Sequence, residues 1–203
     1  MLADEKSAVR AAAKARRDAA HARQAGTAPA ELVSHFVAAM ELEPGVAVSG
    51  YWPGRSELDV KPLLSWLHQA GHPLGLPVVV ARGQPLIFRR WRPGDPLEPR
   101  GFALMEPSTS APPIVPRVLL VPFLAVDAEG YRIGYGAGYY DMTLARLRQT
   151  GPILAIGVGY EAQRVERLPR DPHDEPLDGL ATEKGVVEFA RHAGPAGAES
   201  RAT

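Results

Sequence analysis

A series of alternating glycines, placed between a buried strand and a helix, constrains this chain more than any other feature of its sequence. Residues 118–121 are all apolar and predict the end of a buried strand, and residues 127–130 have the composition of a turn. The alternating glycines follow at Gly134, Gly136 and Gly138. Two tyrosines and a helical pattern from Asp141 to Arg148 come directly afterwards. The segment therefore predicts a strand, a glycine loop and a helix start, in that order.

A glycine loop between a strand and a helix start can bind phosphate. Glycines let main-chain N–H groups approach an oxyanion closely, and the first helical turn adds unpaired donors. The spacing fits neither the dinucleotide fingerprint nor a Walker loop, because the third glycine comes too early and no Gly-Lys-Ser/Thr follows. A glycine-rich hairpin without a ligand is the other interpretation. Arg132 and Asp141 favour phosphate binding, and Asp141 can hold a cation beside the phosphates.

The composition fits one globular α/β domain and excludes several classes of function. The chain has 203 residues, of which 45% are hydrophobic, and its 23 basic side chains balance 23 acidic ones. With no net charge, bulk electrostatics give no reason to expect nucleic acid or an anionic membrane as a partner. The lack of cysteine excludes disulfides, thiol nucleophiles and cysteine-ligated zinc. The charged, alanine-rich N-terminus and the lack of a long apolar run lead us to expect a cytoplasmic protein.

Alternating helical and strand patterns predict a single three-layer α/β domain with a mostly parallel sheet and helices on both faces. We expect helices at residues 6–24, 27–42, 60–69 and 141–149, the second of them capped by Thr27. We expect strands at residues 46–51, 76–81, 84–91, 115–121, 153–158 and 182–187. The proline-rich residues 93–113 should form an ordered loop over a cleft. The domain should span residues 1–190, and residues 191–203 should form a disordered tail.

One further segment is expected near the glycine loop, and the first helix has two possible roles. In parallel sheets, ligands bind beyond the carboxyl ends of the strands, so residues 52–59, after the first strand, should lie near the glycine loop. In the first helix, Lys6, Arg10 and Lys14 recur at one-turn spacing and should share one face. This face is either solvated or brings Lys6 and Arg10 to phosphates bound elsewhere in the protein.

Five segments, in their order along the chain, resemble the 5-formyltetrahydrofolate cyclo-ligase family. They read KSAVR (6–10), YWPGRSELD (51–59), LMEP (104–107), LLVPFLAVDAEGYRIGYGAGYYD (119–141) and HDEPLDGLATEKGV (173–186). The resemblance implies a ligase of one-carbon metabolism that uses ATP as co-substrate and Mg²⁺ as cofactor. In its reaction, ATP phosphorylates the formyl oxygen of 5-formyltetrahydrofolate and nitrogen 10 closes the ring. The products are 5,10-methenyltetrahydrofolate, ADP and phosphate.

The resemblance also implies roles for individual residues. Those expected to contact ATP are Lys6, Ser7, Ala8, Val9, Arg10, Arg132, Ile133, Gly134, Tyr135, Gly136, Ala137, Gly138, Tyr139 and Tyr140. The catalytic cations among them are Arg132, Lys6 and Arg10. Trp52 and Glu57 are expected to contact the folate, with or without a polyglutamate tail, and Asp141 and Asp174 to hold Mg²⁺. We expect a monomer that binds neither nucleic acid nor membrane.

The glycine loop departs from the family pattern in its charge. Some family members carry basic residues at the positions that Tyr135 and Ala137 occupy here. The charge on the phosphoryl group must then be met by Mg²⁺ and by cations elsewhere in the chain. The candidates are Lys6, Arg10, Arg132, Arg89, Arg90 and Arg92.

Each assigned residue also has a structural alternative. Glu57 can cap the helix that follows it, and Asp174 can belong to a solvated acidic loop. Trp52, Tyr139 and Tyr140 can be core aromatics, although a folate ring also needs an apolar wall. Two alternative functions stay open as well. One is a non-catalytic folate- or nucleotide-binding protein, and the other is an enzyme of different chemistry, such as a sugar-phosphate isomerase, on a related scaffold.

Overall fold

The computed structural model describes residues 2–100 and 104–190. The helices are α1 (Leu2–Gln24), α2 (Ala28–Ala39), α3 (Lys61–Gln69) and α4 (Tyr139–Arg148). The strands are β1 (Val48–Ser49), β2 (Leu74–Val78), β3 (Ile87–Arg90), β4 (Leu97–Arg100), β5 (Leu104–Pro107), β6 (Val118–Pro122), β7 (Ala125–Val126), β8 (Arg132–Ile133), β9 (Leu154–Val158), β10 (Gly179–Thr182) and β11 (Gly185–Glu188). Residues 191–203, predicted to be disordered, lie outside the described residues. Within those described, no helix combines the length and the apolar character that a bilayer crossing requires.

Seven strands form one sheet in the order β11-β10-β9-β6-β1-β2-β3. The five inner strands run parallel, and the edge strands β3 and β11 pair antiparallel with their neighbours. The short strand β1 joins the two halves, because Val48 pairs with Leu74 of β2 on one side and with Val118 of β6 on the other. The predictions of a mostly parallel sheet and of a central strand near residues 115–121 are therefore confirmed.

Helices cover both faces of this sheet. Side chains along β6 alternate between the two faces of the sheet, and the first four residues of the strand are buried. Val118 and Leu120 belong to an apolar cluster that includes residues of α2 and α3, whereas Leu119 and Val121 pack in a second cluster with Leu144 of α4. Burial of a side chain of this size contributes about 1.5–3 kcal/mol. The predicted three-layer arrangement is confirmed, and β6 is its centre.

The prediction of an ordered loop at residues 93–113 is wrong in part, because the segment contains two paired strands. Strands β4 and β5 pair antiparallel within it. The buried carboxylate of Glu106 accepts a hydrogen bond from the main-chain nitrogen of Val79 at 3.0 Å, which attaches the hairpin beside the end of β2. Prolines lack a main-chain donor and so weaken a strand pattern, but a two-stranded ribbon has free edges that tolerate them.

Several predicted boundaries are also wrong. The strand predicted at residues 182–187 is a hairpin of β10 and β11, and its turn falls within the predicted range at Glu183 and Lys184. The strand predicted at residues 76–81 begins two residues earlier, at Leu74, and that predicted at residues 46–51 shortens to β1. The second helix ends at Ala39, and Thr27 occupies its N-cap position without a side-chain capping bond.

Candidate active site

The loop after β1 meets the glycine loop at the carboxyl edge of the sheet, as predicted. The Tyr135 hydroxyl of the glycine loop donates a hydrogen bond to Glu57 Oε1 at 3.1 Å. This contact follows from the topology, because β1 and β6 are parallel neighbours and their carboxyl ends lie side by side. The antiparallel pair β7–β8 extends the chain beyond β6 and delivers it to the glycine loop.

The glycine loop itself spans residues 134–138, because Arg132 and Ile133 form β8 and pair with β7. Gly136 (φ +101°) and Gly138 (φ +69°) have left-handed conformations that favour glycine. In the part of the chain that the structure describes, no hydrogen bond outside the regular elements is donated by the amides of residues 134–138. The first turn of α4 adds further unpaired amides directly after the loop. The loop therefore presents a series of main-chain donors that can bind an anion.

Two cations of α1 reach the loops around this site. Arg10 Nε donates to the main-chain oxygen of Gly134 at 3.1 Å, and Lys6 Nζ lies 2.6 Å from Asp174 Oδ2. A Cβ atom added at Gly136 would lie 3.3 Å from Arg10 Cζ, so a side chain there would crowd the arginine. Lys14, one helical turn after Arg10, is exposed. Lys6 and Arg10 are therefore not solvated alone, and their contact with phosphates stays a prediction.

The third cation of this face is Arg17, which the sequence reasoning did not assign to the site. Arg17 is fully buried, and its Nε donates to Ser56 Oγ at 3.1 Å. Its Nη1 donates to the Tyr135 hydroxyl at 2.6 Å and lies 3.6 Å from Glu57 Oε1. Arg17 follows Arg10 by seven residues, so the two side chains lie on nearly the same side of α1. The arginine sits between the buried Ala13 and Ala20, and that pattern is the signal that was available in the sequence.

Glu57 is held by a turn of its own loop and does not cap α3. Its Oε2 accepts a hydrogen bond from the main-chain nitrogen of Gly54 at 2.9 Å. The N-cap position of α3 is Val60, which makes no side-chain capping bond, so the alternative role of Glu57 as a helix cap is wrong. Burial raises the pKa of Glu57 above its ordinary value of 4.5, although the Gly54 amide, Arg17 and Tyr135 act in the opposite direction. Glu57, whose side chain is 12% exposed, is therefore a partly buried acceptor beside the glycine loop.

Trp52 and the two tyrosines that begin α4 are each half-buried. The Trp52 ring packs edge-on against Trp91 with a centroid distance of 5.8 Å, and Lys61 Nζ lies 5.2 Å from its centroid. Trp52 is half-buried, so part of its ring remains available as an apolar wall. Tyr139 and Tyr140 pack against the apolar cluster beneath α4, which agrees with their structural alternative. Burial raises the pKa of the Tyr140 hydroxyl.

A second group of charges ties the end of the glycine loop to the segment at residues 171–178. Buried Arg132 donates from Nη2 to Asp141 Oδ1 at 3.0 Å and from Nη1 to the main-chain oxygen of Glu175. Asp141 Oδ1 also accepts from the main-chain nitrogen of Glu175 at 3.2 Å. Burial lowers the pKa of Arg132, while Asp141 raises it. Asp174 Oδ2 accepts from the main-chain nitrogen of Asp171 at 2.7 Å as well as from Lys6. Asp174 is thus an ordered partner of α1, and a merely solvated role for it is wrong.

Asp141 and Asp174 each keep one carboxylate oxygen outside the hydrogen bonds given above, and the chemistry of these oxygens suits Mg²⁺. Among the described residues, no group of three or more His, Asp or Glu side chains is arranged to hold a metal. Mg²⁺, however, commonly binds one or two carboxylates together with phosphate oxygens and water. The hydrogen bonds given above use Oδ1 of Asp141 and Oδ2 of Asp174, and the two side chains are 28% and 17% exposed. The remaining oxygens can therefore take part in such a site.

Among the described residues, the alternative cations on and after β3 form no ion pair or hydrogen bond with the glycine loop. β3 is an edge strand, three positions from β6, and Arg90 pairs with Gly75 near the amino end of β2. Arg89 donates to the main-chain oxygen of Ala111 at 2.7 Å. A cavity of about 190 Å³ beside Arg90 and Arg92 opens at that opposite edge. Arg10 contacts the glycine loop, whereas Lys6 and Arg132 contact the neighbouring Asp174 and Asp141.

The fold and the site together define an α/β protein with a glycine loop at the carboxyl edge of a mostly parallel sheet, flanked by cations and by a partly buried carboxylate. The model of the 5-formyltetrahydrofolate cyclo-ligase family matches residues 3–183, so the chain belongs to that family. The chain is accordingly an enzyme, a ligase of folate one-carbon metabolism. The resemblance inferred from the five sequence segments is confirmed.

Individual relatives agree with the family assignment. The chain is 36% identical over 155 residues to 5-formyltetrahydrofolate cyclo-ligase of Mycolicibacterium smegmatis, an alignment that covers 70% of this chain and 77% of the relative. It is 33% identical over 141 residues to the Escherichia coli K12 protein of the same name, covering 66% and 75% of the two chains. The NMR structure of Aquifex aeolicus 5,10-methenyltetrahydrofolate synthetase superimposes with a TM-score of 0.75 at 30% identity, over 98% of this chain and 100% of that one.

The raised pKa of Glu57 leads to a prediction about how the free energy of unfolding depends on pH. Because the folded pKa lies above the ordinary value of 4.5, the folded state binds a proton more readily than the unfolded state does. As the pH falls from 7 through the folded pKa towards 4.5, wild-type protein should therefore gain unfolding free energy relative to Glu57→Gln, which cannot titrate at this position. Urea unfolding of both proteins across this range measures the difference. A relative loss of wild-type stability on acidification would show that the ion pair with Arg17 outweighs burial.

Proposed function

We propose that this protein catalyses the ATP- and Mg²⁺-dependent conversion of 5-formyltetrahydrofolate to 5,10-methenyltetrahydrofolate with release of ADP and phosphate. The formyl oxygen is a poor leaving group, and its phosphorylation by ATP converts it into a good one. Nitrogen 10 then attacks the formyl carbon and loses its proton, the C–O bond to the phosphorylated oxygen breaks, and phosphate leaves as the five-membered ring closes. Membership of the family and the geometry of the glycine loop support this proposal.

The observation that carries the proposal is the contact between the glycine loop and Glu57. The unpaired amides of residues 134–138 supply donors for a triphosphate, and Glu57 lies directly across the loop through Tyr135. A phosphoryl donor and a folate bound on these two sides would lie next to each other, which is the arrangement that transfer between them requires.

Cations around the loop would stabilise the charge that develops on the transferred phosphoryl group. Arg10 and Lys6 approach from α1, and Arg132 approaches from β8. Electrostatic stabilisation of this charge is the main task of a protein in phosphoryl transfer. Tyr135 and Ala137 bring no charge to the loop, so these three side chains carry more of this task here than in family members with a basic loop.

The remaining assignments concern the ligands. Asp141 and Asp174 would hold Mg²⁺, which when bound neutralises phosphate charge. The half-buried ring of Trp52 would form a wall of the folate pocket, and Glu57 would accept hydrogen bonds from donors of the folate. We further propose that the protein works as a cytoplasmic monomer, that residues 1–190 form its single domain, and that it accepts folates with or without a polyglutamate tail.

The proposal is tested by mixing the purified chain with 5-formyltetrahydrofolate, ATP and Mg²⁺. The absorbance of the methenyl product should appear, and it should depend on ATP and disappear when Mg²⁺ is chelated. The thermal melting curve of the same preparation verifies that the protein is folded. Folded protein that binds both substrates and forms no product would favour the non-catalytic binding protein instead.

Asp141 and Asp178 form a matched pair for testing the metal assignment. Asp178 likewise accepts hydrogen bonds from an arginine, Arg148, and from a main-chain nitrogen, that of Ala155. Asp141→Asn and Asp178→Asn should therefore each lose about 1–3 kcal/mol of unfolding free energy. Only Asp141→Asn should lower kcat/KM, by on the order of 100-fold, with a weaker response to added Mg²⁺. Parallel losses of activity in both variants would give Asp141 a structural role alone.

Arg10 and Lys14 provide a similar comparison for the nucleotide. Arg10→Gln removes a cation that contacts the glycine loop, whereas Lys14→Gln removes an exposed cation of the same helix. Arg10→Gln should raise the KM for ATP about 10-fold, because one charged contact is lost, and Lys14→Gln should change it less than about twofold. Initial rates at varied ATP concentration measure both. An equal KM in the two variants would remove Arg10 from the nucleotide site.

A further inference from the structure

Arg17 has an unusual hydrogen-bonding position for a buried cation. Its side chain is 1% exposed, and its Nε and Nη1 donate to Ser56 Oγ and to the Tyr135 hydroxyl. Its Nη2 is buried and has no hydrogen-bond partner among the described residues. Buried polar groups are nearly always paired, and an unpaired donor on a charged group is especially costly. The orphaned Nη2 therefore calls for an acceptor that the protein itself does not supply.

The surroundings of Arg17 indicate where such an acceptor would come from. The guanidinium lies between the loop that carries Glu57 and the glycine loop that carries Tyr135, which are the two sides of the proposed site. The other fixed partners of this cluster are already engaged, because Ser56 Oγ donates to Asp18 and Glu57 Oε2 accepts from Gly54. An acceptor for Nη2 would thus enter with a ligand bound between the two loops.

Tyr135 is the member of this cluster that can make room for a ligand. Its hydroxyl accepts from Arg17 and donates to Glu57, so one group satisfies a donor and an acceptor together. The residue is 58% exposed and is flanked by Gly134 and Gly136, whose backbones are the least hindered. A ligand that approaches from solvent meets this side chain first. The phenol therefore occupies the position between Arg17 and Glu57 that a ligand group would need in order to pair with both.

We propose that Arg17 is a further substrate-binding residue, whose Nη2 donates to an oxygen acceptor of a ligand bound between the glycine loop and Glu57. This inference rests on the proposed function and adds a fourth cation to Lys6, Arg10 and Arg132. The acceptor is either a phosphoryl oxygen of the nucleotide or a formyl or ring carbonyl oxygen of the folate. All of these share the chemistry that a planar, permanently charged guanidinium recognises.

The test compares Arg17→Lys, Tyr135→Phe and the double variant with wild type, and uses Arg16→Lys as the control. Lysine keeps the charge but lacks the planar set of donors, and Arg16 is an exposed neighbour on the same helix. Calorimetric titrations measure 5-formyltetrahydrofolate alone and a non-hydrolysable ATP analogue with Mg²⁺ alone. Initial rates measure kcat/KM. Arg17→Lys should weaken the binding of one of the two ligands, and lower kcat/KM, by about 10- to 100-fold, the effect of one lost charged hydrogen bond. Arg16→Lys should change neither.

The double variant separates direct contact from an effect through Tyr135. If Arg17 binds the ligand, the loss caused by Arg17→Lys persists in the Tyr135→Phe background. The ligand whose affinity falls then identifies the acceptor as phosphoryl or folate oxygen. If Arg17 only positions Tyr135, the loss disappears in that background and the inference is overturned. A folded Arg17→Lys protein with both affinities and kcat/KM within twofold of wild type also overturns it.

Two controls keep the inference separate from folding and from the proposed function. If Arg17→Lys does not fold, a crystal structure of the wild-type chain with 5-formyltetrahydrofolate and the ATP analogue decides. Nη2 within hydrogen-bond distance of a ligand oxygen supports the inference, and Nη2 bonded only to an ordered water overturns it. The proposed function fails instead if folded wild-type protein forms no methenyl product, whatever the behaviour of the Arg17 variants.

Discussion

The unpaired main-chain amides of residues 134–138 are the feature on which the rest of the site depends. They are kept out of sheet pairing by the chain on both sides, because β8 ends the β7–β8 ribbon at Ile133 and α4 begins at Tyr139. Arg10 fixes the loop from outside through the main-chain oxygen of Gly134. The amides are thus held in place without donating hydrogen bonds to other described residues. Donors that are oriented before a ligand arrives need no reorganisation when it binds.

Helix α1 contacts three separate segments that surround the site. Along one face it contacts the segment at residues 171–178 through Lys6, the glycine loop through Arg10, and the loop after β1 through Arg17. The three loops come from different parts of the sheet, and α1 holds them together by charged hydrogen bonds in addition to apolar packing. The same cations are therefore structural in the free protein and available to the phosphate chemistry that we propose.

The sequence predicted the elements whose signals are local and failed where tertiary contacts decide. The central strand, the glycine loop and the meeting of Glu57 with that loop follow from apolar runs and from the rule for parallel sheets. Arg17, and not Lys14, contacts Tyr135 and Ser56. This depends on the rotation of α1 about its own axis, which helical spacing alone does not determine. The β4–β5 hairpin was missed because its prolines weaken the strand pattern, and its attachment through Glu106 is a long-range contact.

The most direct measurement of the central claim is an NMR titration of ¹⁵N-labelled protein with a non-hydrolysable ATP analogue and Mg²⁺. Gly134, Gly136 and Gly138 have amides in a distinct region of the spectrum, and Gly26, in the turn between α1 and α2, gives an internal reference. Binding of the triphosphate by these amides predicts large, saturable shifts at the three loop glycines and none at Gly26. Saturable binding of the nucleotide that leaves the three loop signals in place would contradict it.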